Sequence, residues 1–513
     1  MASMLVLGAA LLAAQTTAPH VRLDSGIVEG VTVPDHVVAF KGIPYAAPPT
    51  GEWRWKPPRP VEPWAGVRAA RELGPVCPQP DRWPAIRKRV VTALGGDPSV
   101  IPPLGPTSED CLSLNVWTAN LGGKTRQPVM VWIHGGSFQV GSGADEAATL
   151  APLGAVVVTI NYRLGVFGFL AHPALTRESP HASSGNYGLL DQIEALRWVR
   201  RNIAAFGGDP DRVTVFGHSS GGDAVLMLLS SPLAQGLFQR AVAQSGSSGD
   251  SRPLAEVEAR GLEIAAALGA PAANPLPALR AASPERLLAI VPAAPDAATD
   301  GWLLPQPVAS AFAAGNAGSV PLLIGATANE WGNLSMAFPL PKEREAYRAL
   351  VEQTGGSRKD RLLALYPAAT DDDVSAAAIR YRTDLDFVCP ARYLAAKRRG
   401  GRTWLYLVSA LPAPGPAGER LGAFHGSDLR FLFNLEFGVP LGEAGLRVQE
   451  AMRRYWLAFA ARGDPNEPGL GAWPAYEGPS PRHLELGDPI RTVTGLGREG
   501  CDVFDETWEA AGR

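Results

Sequence analysis

Arg212-Val213-Thr214-Val215-Phe216-Gly217-His218-Ser219-Ser220-Gly221-Gly222 is the stretch on which the fold turns. Val213 to Phe216 is short, apolar and β-branched, and reads as a buried strand. Glycines follow at 217, 221 and 222, and Ala224 to Leu229 reads as a helix. Strand, tight turn and helix with Gly-x-Ser-x-Gly at the turn is the pattern of a nucleophile elbow. The glycines answer a physical demand. Strand and helix approach too closely for a side chain at the flanking positions, and the turn needs strained dihedrals. Ser219 is thereby pushed out at the carboxyl end of the strand. The Ser220 amide, at the helix N-terminus, faces the same space as an anion-binding donor. In a chain with 56 glycines an ordinary Gly/Ser turn is the competing reading. The strand before it and the helix after it favour the elbow.

Upstream, Pro128 to Ile133 reads as a strand running into His134-Gly135-Gly136-Ser137-Phe138. Glycines directly after a buried strand let bare backbone amides point into a cleft, as an oxyanion hole requires. A plain glycine turn is the alternative, and the downstream elbow weighs against it. His134 reads as a residue shaping that loop, and His218 as packing or a local hydrogen bond.

A serine hydroxyl is a poor nucleophile near neutral pH. It needs a base to take its proton and an acid to orient that base, in the chain order Ser, Asp or Glu, His. Of eight histidines only His425 and His483 follow Ser219. His483, in Pro-Arg-His-Leu-Glu, reads as surface. His425 follows the last clear strand, Arg402 to Val408, and is flanked by Gly426, so it reads as the base. Glu330, on the loop after the strand Pro321 to Gly325, reads as the acid. Asp300, in Asp-Gly-Trp-Leu-Leu-Pro, is its rival, and the residues alone leave both open.

Strands alternate with helices such as Leu189 to Ile203, which predicts an α/β fold with a mostly parallel sheet. Val21 to Glu29 and Val37 to Gly42 predict a small N-terminal sheet. Gly42 to Pro49 reads as irregular, since repeated proline forbids helix and central strand. The segment between Cys77 and Cys111 reads as a long polar loop. The stretch 265 to 300 keeps helical apolar spacing and is no linker. The expectation is therefore one domain over residues 19 to 513.

Net charge is −3, which argues against nucleic acid as a partner and against strong steering of charged substrates. Met4 to Ala14 is apolar and ends in small residues, like a secretory signal over residues 1 to 18, although no Lys or Arg precedes Arg22. The run is too short to span a bilayer, and no other segment is long and apolar enough. The four cysteines, Cys77, Cys111, Cys389 and Cys501, have neither Cys-x-x-Cys nor zinc spacing. They are either two disulfides in an oxidising compartment or four buried thiols.

With these residues in hand, the chain resembles the type-B carboxylesterases, the group that includes bacterial para-nitrobenzyl esterases and the cholinesterases. The resemblance runs from about Val21 to Trp508. Phe40-Lys41-Gly42-Ile43-Pro44-Tyr45-Ala46 and Glu109-Asp110-Cys111-Leu112-Ser113-Leu114-Asn115-Val116 match the family's opening signatures. Ser184-Gly185-Asn186-Tyr187-Gly188-Leu189-Leu190-Asp191-Gln192 and Phe206-Gly207-Gly208-Asp209-Pro210 match the approach to the nucleophile. Tyr455-Trp456, Gly463-Asp464-Pro465-Asn466 and Trp473-Pro474 match the tail.

The resemblance implies the α/β-hydrolase fold and a triad of Ser219, Glu330 and His425, with Glu330 preferred to Asp300. It implies an oxyanion hole from the amides of Gly136, Ser137 and Ser220. It also implies disulfides Cys77–Cys111 and Cys389–Cys501, hence a secreted or periplasmic protein, and ion pairs Arg54–Glu109 and Arg163–Asp191. Two departures stand out. The family usually has Gly-Glu-Ser-Ala-Gly, where this chain has His218 and Ser220. Ser137 replaces a third glycine. Losing the glutamate weakens the site's negative field, which argues against a choline-like substrate. Phe138, Trp302 and Trp331 are candidate walls of the substrate pocket.

The function these readings predict is hydrolysis of a small carboxylic ester through an acyl-enzyme, with no metal or cofactor. One alternative is a catalytically silent binding or adhesion protein, disfavoured by the intact triad. The other is a hydrolase specialised for a bulky ester, an amide or a carbonate, which the same machinery would serve.

Overall fold

Along the strand Gln127–Ile133, Val129, Val131 and Ile133 pack into one buried cluster while Met130 and Trp132 pack into another. Successive side chains of a strand point to opposite faces, so a run that is apolar at every position must be covered on both sides. The strands Val156–Ile160 and Gly208–His218 divide in the same way, with Val158 and Val215 on one face and Val157 and Phe216 on the other. On the first face lie the helices Tyr187–Asn202 and Ser220–Ser230. The second is covered by the helix Gly442–Arg462, through Val448, Met452, Tyr455, Trp456 and Phe459. These contacts make the α/β layering a direct consequence of the apolar patterning.

The computed structural model describes residues 18 to 510, apart from 145–146, 248–250, 292–295, 434, 436 and 479–480. Among the described residues the main sheet has eleven strands. From one edge they run Arg491–Thr494, Arg482–Leu486, Thr403–Val408, Leu322–Thr327, Arg240–Gln244, Gly208–His218, Gln127–Ile133, Val156–Ile160, Ser113–Thr118, Val38–Pro44 and Val31–Thr32. Every pairing from Arg482–Leu486 to Val156–Ile160 is parallel. The pairings at both margins are antiparallel. In a parallel stack all carboxyl ends emerge at one edge, and that is where the loops of the site gather.

The small separate sheet consists of His20–Arg22, Ile27–Glu29 and Val67–Ala69. The expected strand Val37 to Gly42 instead joins the main sheet, as part of Val38–Pro44. The strand also includes Gly42 to Pro44, which had read as irregular. Its register shifts between Phe40 and Ile43, and Gly42 adopts φ +67°. A bulge near the sheet margin accommodates the proline that a central strand would reject.

The Cys77 to Cys111 segment is not all loop. It holds the helix Trp83–Ala93, with Pro84 in its first turn, where a missing N–H costs nothing. His483, expected at the surface, is 3% exposed in the strand Arg482–Leu486. Its neighbours Thr403–Val408 and Arg491–Thr494 continue the sheet on both sides, and a short polar sequence window does not reveal such cover.

Both disulfides are formed, Cys77–Cys111 and Cys389–Cys501. Arg163 Nε and Nη2 each lie 2.8 Å from a carboxylate oxygen of Asp191, wholly inside the fold. Arg54 pairs with Glu109 through two hydrogen bonds, one at 2.7 Å. The expected signal segment falls in residues outside those described, except Ala18. No helix among the described residues is long and apolar enough to cross a membrane.

Candidate active site

Ser219 sits at φ +58°, ψ −130°, between the strand Gly208–His218 and the helix Ser220–Ser230. A non-glycine residue held there stores on the order of 1–3 kcal/mol of strain and persists only where its surroundings impose it. Here they do. Ser219 N–H donates to Gln244 O at 2.9 Å, and Ser219 O accepts from Asp223 N at 2.9 Å. A Cβ on Gly221 would stand 2.1 Å from Ile133 O, and one on Gly217 would stand 2.3 Å from Gly221 O. The glycines are thus required by backbone contact between strand and helix, as the motif predicts.

The adjacent strand Gln127–Ile133 delivers the second loop. Gly136, Ser137 and Phe138 all have positive φ, at +117°, +56° and +56°. Three such residues in succession turn the amides away from any sheet ladder. Phe138 N–H donates to Ser220 Oγ at 3.1 Å, which ties this loop to the start of the elbow helix. His134 holds its base. Nδ1–H donates to Gly135 O at 2.9 Å, the ring stacks on Tyr162 at 4.4 Å, and Tyr162 O–H donates to His134 O at 2.7 Å. The arrangement agrees with His134 as a loop-shaping residue.

Across the sheet, Glu330 follows Leu322–Thr327, and its carboxylate is fully buried. Oε1 accepts from Thr327 N at 2.7 Å, and Oε2 lies 2.5 Å from His425 Nδ1. A carboxylate at Nδ1 fixes the tautomer with the proton there and leaves Nε2 as the basic nitrogen. His425 is held from behind as well, because Asn333 Nδ2–H donates to its carbonyl at 3.0 Å. The rings of Phe387 and His218 pack against it at 5.0 and 4.5 Å. The contact with His218 places His425 against the residue that precedes Ser219.

Asp300 belongs elsewhere. It accepts from Ser183 Oγ at 2.5 Å, from Asn186 Nδ2 at 3.0 Å and from the amides of Trp302 and Leu304 at 3.0 and 2.9 Å. Four donors on one carboxylate make it a structural staple, and Glu330 is the acid that meets His425.

The candidate pocket walls divide. Phe138 lies on the loop beside the elbow and packs on Phe169 at 4.8 Å. Trp331 is 8% exposed. Its indole N–H donates to Asp386 at 2.8 Å, and Arg382 lies 4.7 Å over its ring. Trp302 stacks on His181 at 3.9 Å and lines a cavity of about 260 Å³ with Trp55 and Tyr187. Neither Ser219, Glu330 nor His425 lines that cavity.

Two residues with no role in the sequence reading join the site. Asp428, three residues beyond His425, accepts at Oδ2 from Gln244 Nε2 at 2.7 Å, and both groups are buried. The only signal was the position of Asp428 just after His425-Gly426. Gln244 gave none, since its place beside the elbow exists only in the sheet.

The chain matches the carboxylesterase family model over residues 17–504. It is 38% identical over 518 residues to the fumonisin B1 esterase of Sphingopyxis macrogoltabida, covering 95% of this chain and 90% of that protein. It is 36% identical over 482 residues to the para-nitrobenzyl esterase of Bacillus subtilis, covering 89% and 92%. A solved structure of a PNB esterase superposes with a TM-score of 0.82 at 33% identity, covering 95% of this chain and 99% of that one. A family match along almost the whole length, together with an α/β-hydrolase sheet carrying an elbow serine, leads to one conclusion: the chain belongs to the carboxylesterase family.

Proposed function

We propose that this carboxylesterase works through an acyl-enzyme on Ser219, with His425 as general base and acid and Glu330 as its orienting carboxylate. The observation that carries this reading is the 2.5 Å contact between His425 Nδ1 and buried Glu330, on loops at the same sheet edge as the strained Ser219. Ser219 Oγ attacks the ester carbonyl as His425 Nε2 takes its proton. The amides of Gly136, Ser137 and Ser220 receive the oxyanion. His425 then protonates the leaving alcohol, and a water activated by the same imidazole releases the acid.

Release of p-nitrophenol from acetate, butyrate and octanoate esters tests the proposal, with Ser219→Ala alongside. Hydrolysis by the wild type that disappears in the variant supports it, and the chain-length trend sizes the acyl pocket. Activity that survives in Ser219→Ala overturns it. The 38% identity to a fumonisin B1 esterase favours a second substrate reading, hydrolysis of fumonisin B1 or a comparably bulky ester. Fumonisin B1 belongs in the same assay. Faster turnover of it than of octanoate selects that reading.

We also propose residues 19 to 513 as one catalytic unit outside the cytoplasm, with 1 to 18 as its signal. Two disulfides support an oxidising compartment. N-terminal sequencing of the protein exported by a bacterial host is the test, and retention of Met1 would refute it.

A further inference from the structure

We propose that His218 is a positioning residue for His425 that brings Asp428 into the site as a second carboxylate, so that two protons govern the loss of activity in acid. The proposal rests on the reading of His425 as base.

The rings of His218 and His425 meet with centroids 4.5 Å apart and planes inclined at 46°. Gly426, next to the base, makes room for this. A Cβ there would already touch His218 Cε1 at 3.4 Å, and the residue adopts φ +82°. Asp428 also stands beside His218, with Oδ1 3.8 Å from His218 Nε2. The carboxylate is pinned to the sheet through its other oxygen. Oδ2 accepts from Gln244 Nε2 at 2.7 Å, and Gln244 Oε1 accepts from Trp456 Nε1 at 3.3 Å. Gln244 is itself the register partner of His218 on the neighbouring strand. Asp428 Oδ1 and His218 Nε2 are both buried and have no other hydrogen-bond partner. Buried polar atoms are rarely left unpaired, and a shift of about 1 Å joins these two.

The charges follow from this geometry. Burial, and then the neighbouring His425, hold His218 well below the usual histidine range, so it is neutral when the base is active. Burial pushes Asp428 up to about 6, against the hydrogen bond from Gln244 and with Glu330 adding to the rise. Tyr406, from the strand Thr403–Val408, also faces this group. Burial, Asp428 and Glu330 hold its phenol well above its usual value, so it stays uncharged. The imidazolium that forms on His425 during acylation thus has two carboxylates near it, Glu330 directly and Asp428 beside His218. A proton entering the His218–Asp428 pair removes one of those negative charges and disfavours the imidazolium. A protonated His425 cannot act as base at all. Acid therefore acts on activity at two places.

The test is kcat and KM for p-nitrophenyl acetate from about pH 4.5 to 8, for wild type, His218→Gln, Asp428→Asn and His218→Glu. Folding of each is checked by circular dichroism, and recovery of activity at neutral pH excludes acid unfolding. For the wild type, log kcat/KM falls on the acid side with a slope steeper than that of one proton. His218→Gln and Asp428→Asn each reduce it to one, and the loss on the plateau appears in kcat more than in KM. His218→Glu places a carboxylate beside the base and moves the acid midpoint up by about 1 pH unit. A one-proton slope in the wild type overturns the proposal without any variant. So does the steeper slope kept by either neutral variant. Ser219→Ala separates the two levels, because activity surviving there removes the triad reading itself.

Discussion

His425 Nδ1 lies 2.5 Å from Glu330 Oε2, and the Glu330 carboxylate is fully buried. The bond spans 95 residues of sequence and joins two loops at one edge of the sheet. In the proposed mechanism its function is tautomeric, because a carboxylate keeps the proton on Nδ1 and an amide does not. Glu330→Gln is therefore expected to lower kcat by about 10³- to 10⁴-fold with KM little changed. Steady-state kinetics at neutral pH checks this. A loss under tenfold would mean that Glu330 does not orient the base.

Gly221 and Gly236 offer a matched pair for the packing argument. A Cβ at 221 would lie 2.1 Å from the carbonyl of Ile133, on the central strand. At Gly236, φ is +77° and nothing lies within 4 Å. Gly221→Ala is expected to cost about 3 kcal/mol, from overpacking against backbone, and Gly236→Ala about 1 kcal/mol, from its dihedral alone. Urea midpoints of the two variants should differ in that order.

Asp384 carries a pH dependence. It is buried, its carboxylate accepts from Tyr366 O–H at 2.7 Å, and burial pushes it up to about 6, opposed by that hydrogen bond. The native state therefore holds the proton more tightly than the unfolded chain. Its contribution to stability is full below about pH 4 and is lost as pH rises through about 6. Asp384→Asn keeps an acceptor for Tyr366 and removes the titration. Relative to wild type, the variant should gain stability between pH 4 and pH 7 by about 2–3 kcal/mol. Denaturant unfolding at the two pH values measures it, and a gain in the opposite sense would refute the shift.

The two disulfides should differ in kind. Cys77–Cys111 closes 34 residues and Cys389–Cys501 closes 112, so chain entropy assigns them about 4 and about 5 kcal/mol. The first bounds a segment that is hydrogen-bonded to the loop after Gln127–Ile133. Gln79 Nε2 donates to Gly141 O at 2.8 Å, Gly141 N donates to Gln79 Oε1 at 2.9 Å, and Arg82 bonds Gln139. Cys77→Ser with Cys111→Ser is expected to lower both stability and kcat, and Cys389→Ser with Cys501→Ser, whose loop carries His425, to lower stability by the larger amount. Denaturation midpoints and kcat at low temperature, where all variants are folded, distinguish the two.

The elbow, the glycine loop after Pro128 to Ile133 and the α/β layering were legible in the chain because each is local. A strand's two-residue period, a helix's stripe and a turn's need for glycine are written within about a dozen residues. His425 was legible by chain order. Everything that depends on which strands become neighbours was decided by the tertiary structure. The residues left Glu330 and Asp300 open, and the family resemblance preferred Glu330. The fold gave the physical reason, setting Glu330 against His425 while Ser183, Asn186 and two backbone amides occupy Asp300. His483 reads as surface, yet it is buried in a strand with a neighbour on each side, and Val37 to Gly42 reads as part of a small sheet, yet Val38–Pro44 pairs with Ser113–Thr118. Gln244 had no signature, and Asp428 had only its position near His425, since their meeting spans 184 residues. Local chemistry lies in the order of the residues, but the environment of a buried charge is assembled by contacts distant in sequence.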